Sequence, residues 1–321
     1  MKHLFIASLL TTACCLLPVA SLFSPISLSA AEIKYDSPQT FYAGRENIIN
    51  IKTDGLSGKN LAWNLKYSGL TIAAAELAIP ESGTVELKFT FPEIKEGVSV
   101  TAEFNCASGE NRLQKNIFFF PANPFSLKKK QLEKIKIGLW SPEGYDIAKK
   151  SFESRGVVTS DIANFAEFKG EILIITGIDF GNFSGLDKDL VNICLTGANV
   201  IIINPKAGSL SLRTESFKNL ILARNDKVTE YDKKFDSEKW GDSPPNGKFL
   251  NLIPLDTGVG IEISEKKNTF TFMSAKIGKG ELLICTWDIF GKADKSPSPL
   301  YLLDKIITES EKRRNGESEK N

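Results

Sequence analysis

The sequence predicts a mixed fold, in which an all-β sandwich is followed by an α/β domain. Apolar and polar residues alternate between residues 32 and 122, whereas residues 134–308 contain continuous Ile and Val runs separated by helical segments. Alternation is typical of antiparallel strands with one buried face, and continuous runs are typical of parallel strands covered on both faces. The 42% hydrophobic and 25% charged residues are ordinary globular proportions, which exclude collagen-like, disordered and polytopic membrane classes.

The first 31 residues have the pattern of a secretory signal. A positive charge precedes an apolar stretch that ends in small residues, and Ser29 and Ala31 stand at the expected cleavage site. Pro18 interrupts this stretch before it reaches the roughly 20 apolar residues that a membrane span needs. We therefore expect residues 1–31 to be removed and the protein to be exported, either periplasmic or extracellular. As an alternative, Cys14 could carry a lipid anchor, and we expect membrane association only in that case.

Charge and histidine content exclude several functions. The sequence carries 40 Lys and Arg residues against 39 Asp and Glu residues, and the excess charge disappears with Lys2 in the leader. A neutral chain offers no broad basic face to phosphates, so we expect no nucleic-acid partner. The single histidine, His3, also lies in the leader. Ser-His-Asp and Cys-His catalysis and most catalytic zinc sites are therefore excluded, and we expect neither a cofactor nor a metal.

Residues 32–122 are expected to form an immunoglobulin-like β-sandwich. Alternating stretches surround Trp63 and cover residues 85–91 and 98–106, and Asp-Gly or Ser-Gly pairs separate the stretches. About seven short strands in about 90 residues are typical of such sandwiches. Cys106 has no partner cysteine in the sandwich, so we expect no disulfide between the two sheets.

The remaining chain is divided into a linker, the α/β domain and a tail. Residues 123–133 are expected to form a linker. They include three consecutive lysines, a solvated stretch that we expect to belong to a linker or a helix face rather than to a binding patch. The α/β domain spans residues 134–308, and the polar residues 309–321 predict a disordered charged tail. The strands expected in the domain cover residues 135–140, 157–158, 171–178, 198–204, 250–254, 269–275 and 281–287, and the helices cover residues 141–155, 186–195 and 297–308.

Several stretches of the α/β domain resemble the class I glutamine amidotransferase-like fold, which implies a flavodoxin-like sheet. They are residues 139–144 (LWSPEG), 171–177 (EILIITG) and 195–205 (LTGANVIIINP). The resemblance is to the divergent version found C-terminally in large secreted bacterial glycoside hydrolases, including the β-galactosidase trimerisation-type domain. Residues 278–288 and 296–303 are similar to the closing hairpin and helix of those domains.

The sequence departs from active amidotransferases at the position of the nucleophile. The resemblance places a catalytic cysteine directly after the strand at residues 200–203, where this sequence has Asn204 and Pro205. An amide cannot act as that nucleophile, and the histidine partner is absent. Cys194 precedes the strand, and we expect it to be a buried free thiol, as we expect for Cys106 and Cys285. We therefore predict no amidotransferase activity and assign no catalytic residue.

Ligands of open α/β sheets collect beyond the carboxyl ends of the parallel strands. In a first interpretation, the side chains at this edge stack on a sugar ring and form hydrogen bonds with it. In the second interpretation, which we favour, the carboxylates cap helices and turns and the tryptophans pack beneath loops. The candidate residues at this edge are Trp140, Glu143, Asp179, Asn204, Trp287 and Asp288.

Two functional hypotheses follow from these observations. The first is an exported, non-catalytic binding or assembly protein with a protein or glycan partner. The resemblance implies a connection of this protein with polysaccharide handling. The second is a carbohydrate-active hydrolase, because glycosidases need only two carboxylates and no histidine. Nothing in the sequence identifies such a carboxylate pair, so we favour the binding protein.

Overall fold

The structure, a computed structural model, describes residues 31–142, 145–213, 218–224, 247–266 and 269–314. The predicted signal peptide other than Ala31, the predicted lipid-attachment residue Cys14, and the candidate residue Glu143 lie outside the described residues. Within these ranges the chain is mostly β-sheet, with two smaller sheets followed by one large sheet. No helix in the described ranges is long and apolar enough to cross a membrane.

The N-terminal region forms a sandwich of two sheets. The three-stranded sheet has the order β1-β3-β6, and the five-stranded sheet has the order β2-β8-β7-β4-β5. Every second residue of β6 is buried, which is the alternation that the sequence predicts for a strand with one face on the core. The strands are β1 (Glu32–Tyr35), β2 (Thr40–Tyr42), β3 (Glu46–Asp54), β4 (Asn60–Tyr67), β5 (Leu70–Ala78), β6 (Thr84–Thr90), β7 (Val100–Ser108) and β8 (Asn111–Phe120).

Aromatic side chains fill the core between these two sheets. The ring of Trp63 lies 6.3 Å from the rings of Phe89 and Phe104, and Phe91 stacks on Phe119 at 3.9 Å. Such ring pairs add to the free energy of apolar burial, by about 0.5–1.5 kcal/mol each. The sandwich is therefore held by packing, in agreement with the expectation that it lacks a disulfide.

The segment 123–133 is more ordered than the predicted linker. It contains a short 3₁₀ helix (Ser126–Lys128) and helix α1 (Lys129–Leu132). Phe125 and Leu132 are buried in the core of the second domain. Lys129 and Lys130 are exposed, whereas Lys128 is half-buried and pairs with Asp304. The segment is therefore not solvated throughout, because two apolar side chains anchor it. Lys129 and Lys130 lie exposed on α1, as the helix-face alternative predicts.

The second domain is built on a ten-stranded sheet, counted over the described residues. Its order is β10-β9-β11-β12-β18-β17-β15-β16-β13, and β14 pairs with β17. The strands are β9 (Ile137–Trp140), β10 (Thr159–Asp161), β11 (Ile172–Thr176), β12 (Asn199–Ile203), β13 (Ser209–Arg213), β14 (Lys218–Arg224), β15 (Phe249–Leu255), β16 (Gly258–Ser264), β17 (Phe270–Ile277) and β18 (Gly280–Cys285). The helices are α2 (Tyr145–Glu153), α3 (Leu186–Leu195), α4 (Ile289–Lys292) and α5 (Ser298–Arg314).

The first five strands in the sheet order, from β10 to β18, run parallel. Helix α3 packs on one face of them, and α2, α4 and α5 pack on the other, so strands β11 and β12 are buried throughout. The remainder of the sheet is antiparallel. The sequence did not predict strands β13, β14 and β16, because apolar and polar residues alternate over only a few positions in each of them. Strands β16 and β13 lie at the edge of the sheet furthest from the parallel strands.

Helix α5 extends further than the sequence predicts. It runs to Arg314, so the predicted disordered tail is wrong for residues 309–314, and residues 315–321 lie outside the described ranges. Ser310 is buried, and both arginines at the end of the helix form ion pairs with carboxylates of the sheet domain. Tertiary contacts therefore order a segment that has no apolar residue of its own.

The two domains meet at a buried polar contact between β2 and the start of α5. The Tyr42 hydroxyl donates to the Ala293 carbonyl at 2.8 Å, and the Thr40 and Ser298 hydroxyl oxygens lie 2.7 Å apart. The Tyr301 hydroxyl reaches the Pro121 carbonyl at 3.2 Å. Because buried hydrogen-bonding groups lose free energy when their partners separate, these contacts hold the domains together.

Candidate functional site

The carboxyl edge of the parallel sheet contains the five candidate residues that the structure describes, and Glu143 lies outside the described ranges. Asn204 follows β12 with a φ of 51°, a left-handed conformation that is uncommon for a non-glycine residue. Its backbone N–H donates to the Cys285 carbonyl at 2.8 Å, and its side-chain amide donates to Asp288 Oδ1 at 3.1 Å. Asn204 therefore stands at the end of a central parallel strand, and of the two neighbouring carboxylates it binds Asp288.

The two described carboxylates of this edge are engaged by backbone groups. Asp288 is the N-cap of α4 and accepts a hydrogen bond from the Gly291 N–H at 3.1 Å. Asp179 caps a short 3₁₀ helix and accepts from the Gly181 N–H at 2.9 Å. Capping aspartates satisfy N–H groups that the helix itself cannot pair. Both carboxylates therefore have a structural role, as the second interpretation of the sequence predicts.

The two tryptophans of the carboxyl edge do not form an exposed stacking surface. Trp287 has an exposed fraction of 0% and lies in the core beneath α4 and α5, so its assignment as a ligand-binding candidate is wrong. Trp140 is half-buried, with its ring 4.7 Å from Phe165 and 5.0 Å from Phe183. A ring packed on two other rings offers little surface to a sugar.

The chain after Asn204 lacks the geometry of a nucleophile elbow. In such an elbow a helix follows the strand, and backbone N–H groups beside the nucleophile stabilise the oxyanion. Here the Lys206 N–H donates to the Ile178 carbonyl at 2.7 Å, and the chain continues into strand β13. The left-handed backbone of Asn204 is therefore present without the helix that would support acyl transfer.

The three described cysteines are buried free thiols, as the sequence predicts. Burial raises the pKa of Cys194 and of Cys285 to about 12, and that of Cys106 to about 11. A thiol is nucleophilic as its thiolate, which these pKa values make scarce at neutral pH. None of the three can serve as the missing nucleophile.

The opposite, amino edge of the parallel sheet holds a cavity that the sequence did not predict. It has a volume of about 200 Å³ and lies between the starts of β12 and β18, strands β14 and β17, and the end of α5. We call it the amino-edge cavity. It is lined by Asn199, Asn219, Ile221, Ser274, Lys276, Lys279, Gly280, Glu281, Arg313 and Arg314.

A buried carboxylate lies at the centre of the polar groups in this cavity. Glu281 is only 6% exposed, and its Oε1 accepts from Arg313 Nη1 at 2.5 Å and from the Ser274 hydroxyl. Arg314 Nη2 pairs with Glu171 Oε1 at 2.8 Å. The sequence signal was a glutamate at the start of an apolar strand and two arginines ending a helix, but nothing in the sequence brings them together.

Metal binding finds no support in the described part of the chain. No group of three or more His, Cys, Asp or Glu side chains is arranged there to hold a metal ion. The carboxylates at the two sheet edges instead pair with amide, hydroxyl and guanidinium groups.

No protein-family model matches the chain, and no curated protein matches it. Among solved structures, an engineered protein shares 10% identity over 28% of this chain, with a TM-score of 0.22. An endo-fucoidan hydrolase of glycoside hydrolase family 107 shares 8% identity over 80% of this chain, with a TM-score of 0.20. The titin domains Z1Z2, in complex with telethonin, share 9% identity over 79% of this chain and 95% of theirs, with a TM-score of 0.19.

The matched part spans only 20% of the engineered protein and 29% of the hydrolase. TM-scores at this level carry no argument about shared fold or function. The functional argument therefore rests on the residues of this chain.

Proposed function

We propose that this protein is an exported, non-catalytic binding or assembly protein, with a protein or glycan partner. The observation that carries this proposal is the state of the carboxyl edge, where catalysis and ligand binding are usual in α/β sheets. Asn204 and Asp288 bind each other, and Asp179 and Asp288 cap helices. A carboxylate that acts as general acid or nucleophile must be available to the substrate. The carboxylates of Asp179 and Asp288 instead hold loops through their hydrogen bonds.

We also propose that the second domain is a flavodoxin-like domain of the amidotransferase-like class that has lost its chemistry. Numbered along the chain, its five parallel strands have the order 2-1-3-4-5, which is the flavodoxin-like order. The N-terminal sandwich, in the same proposal, is immunoglobulin-like. The polar contacts of Tyr42 with the end of α4 and of Thr40 with the start of α5 support a single assembly unit rather than two independent modules. Export rests on the leader sequence.

The direct test is a set of activity and binding assays on the full chain, expressed with its leader. We expect no ammonia from glutamine, no new reducing ends from a panel of polysaccharides, and retained ligands on a glycan array or in a pull-down. Polysaccharide cleavage would favour the hydrolase hypothesis instead.

Paired variants sharpen this assay. Asp288→Asn removes one of the two described carboxylate charges of the carboxyl edge, and Asp256→Asn removes an exposed charge in the turn between β15 and β16. Cleavage that survives in Asp256→Asn but disappears in Asp288→Asn would overturn the non-catalytic proposal. Equal absence of cleavage in both variants and in the wild-type protein, together with a bound partner, supports it.

A further inference from the structure

The amino-edge cavity combines buried polar groups with unmatched hydrogen-bonding atoms. Oε2 of Glu281 is buried and has no hydrogen-bond partner among the described residues, although Oε1 of the same carboxylate has two. Nε of Arg314 is likewise buried without an acceptor in the described part of the chain. A buried donor or acceptor without a partner destabilises the folded protein, so both atoms favour a molecule that supplies the missing partner.

The charge of the cavity is positive. Its lining has four cationic side chains, namely Lys276, Lys279, Arg313 and Arg314, and one carboxylate, Glu281. Glu171 compensates one arginine, which leaves two positive charges unbalanced. Lys276 and Lys279 are exposed and make no ion pair with any described residue. An anionic ligand is therefore expected at the mouth of the cavity.

We propose that the amino-edge cavity binds a monosaccharide-sized acid. Lys276, Lys279 and Arg314 hold the carboxylate of the ligand, and a neighbouring hydroxyl of the ligand donates a hydrogen bond to Oε2 of Glu281. The proposal deepens the proposed binding function by naming the class of ligand. A hydroxyl is the donor that fits beside Glu281, because an ammonium group would be repelled by Arg313, 2.5 Å from the same carboxylate. Sulfate has no donor for Oε2 and would place negative charge against it.

The size of the cavity supports a small ligand. Its volume of about 200 Å³ exceeds the roughly 30 Å³ of one water molecule. It is smaller than the roughly 300–1,000 Å³ of pockets that hold drug-sized molecules. A single hexuronate fits this range, either as a free acid or as the end of an acidic polysaccharide.

The test is calorimetric titration of the full chain with D-glucuronate, D-glucose and inorganic sulfate. We expect glucuronate to bind at least about tenfold more tightly than either of the others, because glucose lacks the carboxylate and sulfate lacks the donor. Absence of glucuronate binding at about 10 mM, tenfold above a Kd of about 1 mM, would overturn the proposal.

Lysine variants locate the site. The double substitution Lys276→Ala with Lys279→Ala is expected to weaken glucuronate binding by about tenfold or more, since charge-assisted hydrogen bonds are lost. Lys206→Ala removes an exposed lysine from the carboxyl edge and is expected to leave the affinity unchanged. Equal affinities in the double variant and the wild type would overturn the assignment. All these lysines are exposed, so the folded state is retained.

Two further measurements distinguish a free acid from the end of a glycan, and the cavity proposal from the proposed binding function. Binding of a hexuronate oligomer as well as the free sugar identifies the end of an acidic glycan, whereas binding of the free sugar alone identifies a small acid. Glycan binding that the double lysine variant retains would overturn the cavity proposal and leave the binding function standing. Polysaccharide cleavage would overturn the binding function, while lysine-dependent glucuronate binding would still support the cavity.

Discussion

The two edges of the parallel sheet use polar residues in opposite ways. At the carboxyl edge, Asn204, Asp288 and Asp179 bind one another or nearby backbone N–H groups. At the amino edge, Glu281 and Arg314 retain buried atoms without partners among the described residues. Position in an α/β sheet therefore does not by itself locate a ligand site. The state of each polar atom is the better guide.

The largest effect is expected from Trp287→Ala at the carboxyl edge. The side chain is fully buried, so its removal should lower the free energy of unfolding by about 3–5 kcal/mol, as measured by urea denaturation. Trp140→Ala serves as the control, and its half-buried ring should cost less. If Trp287→Ala left the stability intact but weakened glycan binding, the carboxyl edge would again be the candidate site.

The thiols at both edges should be unreactive in the folded protein. Cys194 lies near the amino edge and Cys285 near the carboxyl edge, and burial raises the pKa of each to about 12 from an ordinary value of 9.0. At pH 8 the thiolate fraction is then about a thousandfold lower than in an unperturbed cysteine. We expect a thiol-directed disulfide reagent to label both only after denaturation. Fast labelling of either cysteine in the native protein would indicate an accessible site.

The same thiols predict an alkaline loss of stability. Between the ordinary pKa of about 9 and the raised value, the unfolded chain loses protons that the folded chain retains. Stability is therefore fully present below about pH 9 and falls as the pH rises toward 12. Urea denaturation at a series of pH values measures the slope. A Cys285→Ala variant should show a shallower slope than the wild-type protein.

Gly280→Ala should disturb the amino edge. A Cβ at this position would lie 2.0 Å from the Ala198 carbonyl oxygen and 2.7 Å from that of Cys194, so the backbone must shift. We expect a loss of about 1–3 kcal/mol in the free energy of unfolding. Gly260→Ala is the matched control in β16, because its Cβ would meet Ile253 at an ordinary 3.4 Å. Equal stability of the two variants would mean that the amino edge is loosely packed.

The smallest effects are expected from the polar pair at the carboxyl edge. Asp288→Ala removes a helix cap and should lower the free energy of unfolding by about 0.5–2 kcal/mol. A double-mutant cycle with Asn204→Ala should show a coupling of at least about 0.5 kcal/mol, since the two side chains are hydrogen-bonded. Glucuronate binding should not change in either variant. A change in binding without a change in stability would reverse the comparison between the edges.

The sequence by itself determined the alternating sandwich, the buried Ile and Val strands and the bounds of helix α3. These elements have strong apolar periods, and each period reports directly which face is buried. The sequence also placed Asn204, Asp179 and Asp288 at one edge of the sheet, but the contact of Asn204 with Asp288 is seen only in the structure. Parallel strands place their carboxyl ends at one edge, so order along the chain was sufficient for this placement.

Only the tertiary structure decided how the polar residues are used. Trp287 was a candidate at the carboxyl edge with burial as the favoured interpretation, but no local pattern encodes its contact with α4 and α5. Helix α5 continues to Arg314 because Glu281 and Glu171 pair with its last two residues. These partners are distant in sequence, so a charged segment that resembles a tail becomes one wall of a cavity. Long-range charge pairing has no periodic signature in the sequence, and it is what distinguishes the two edges of the sheet.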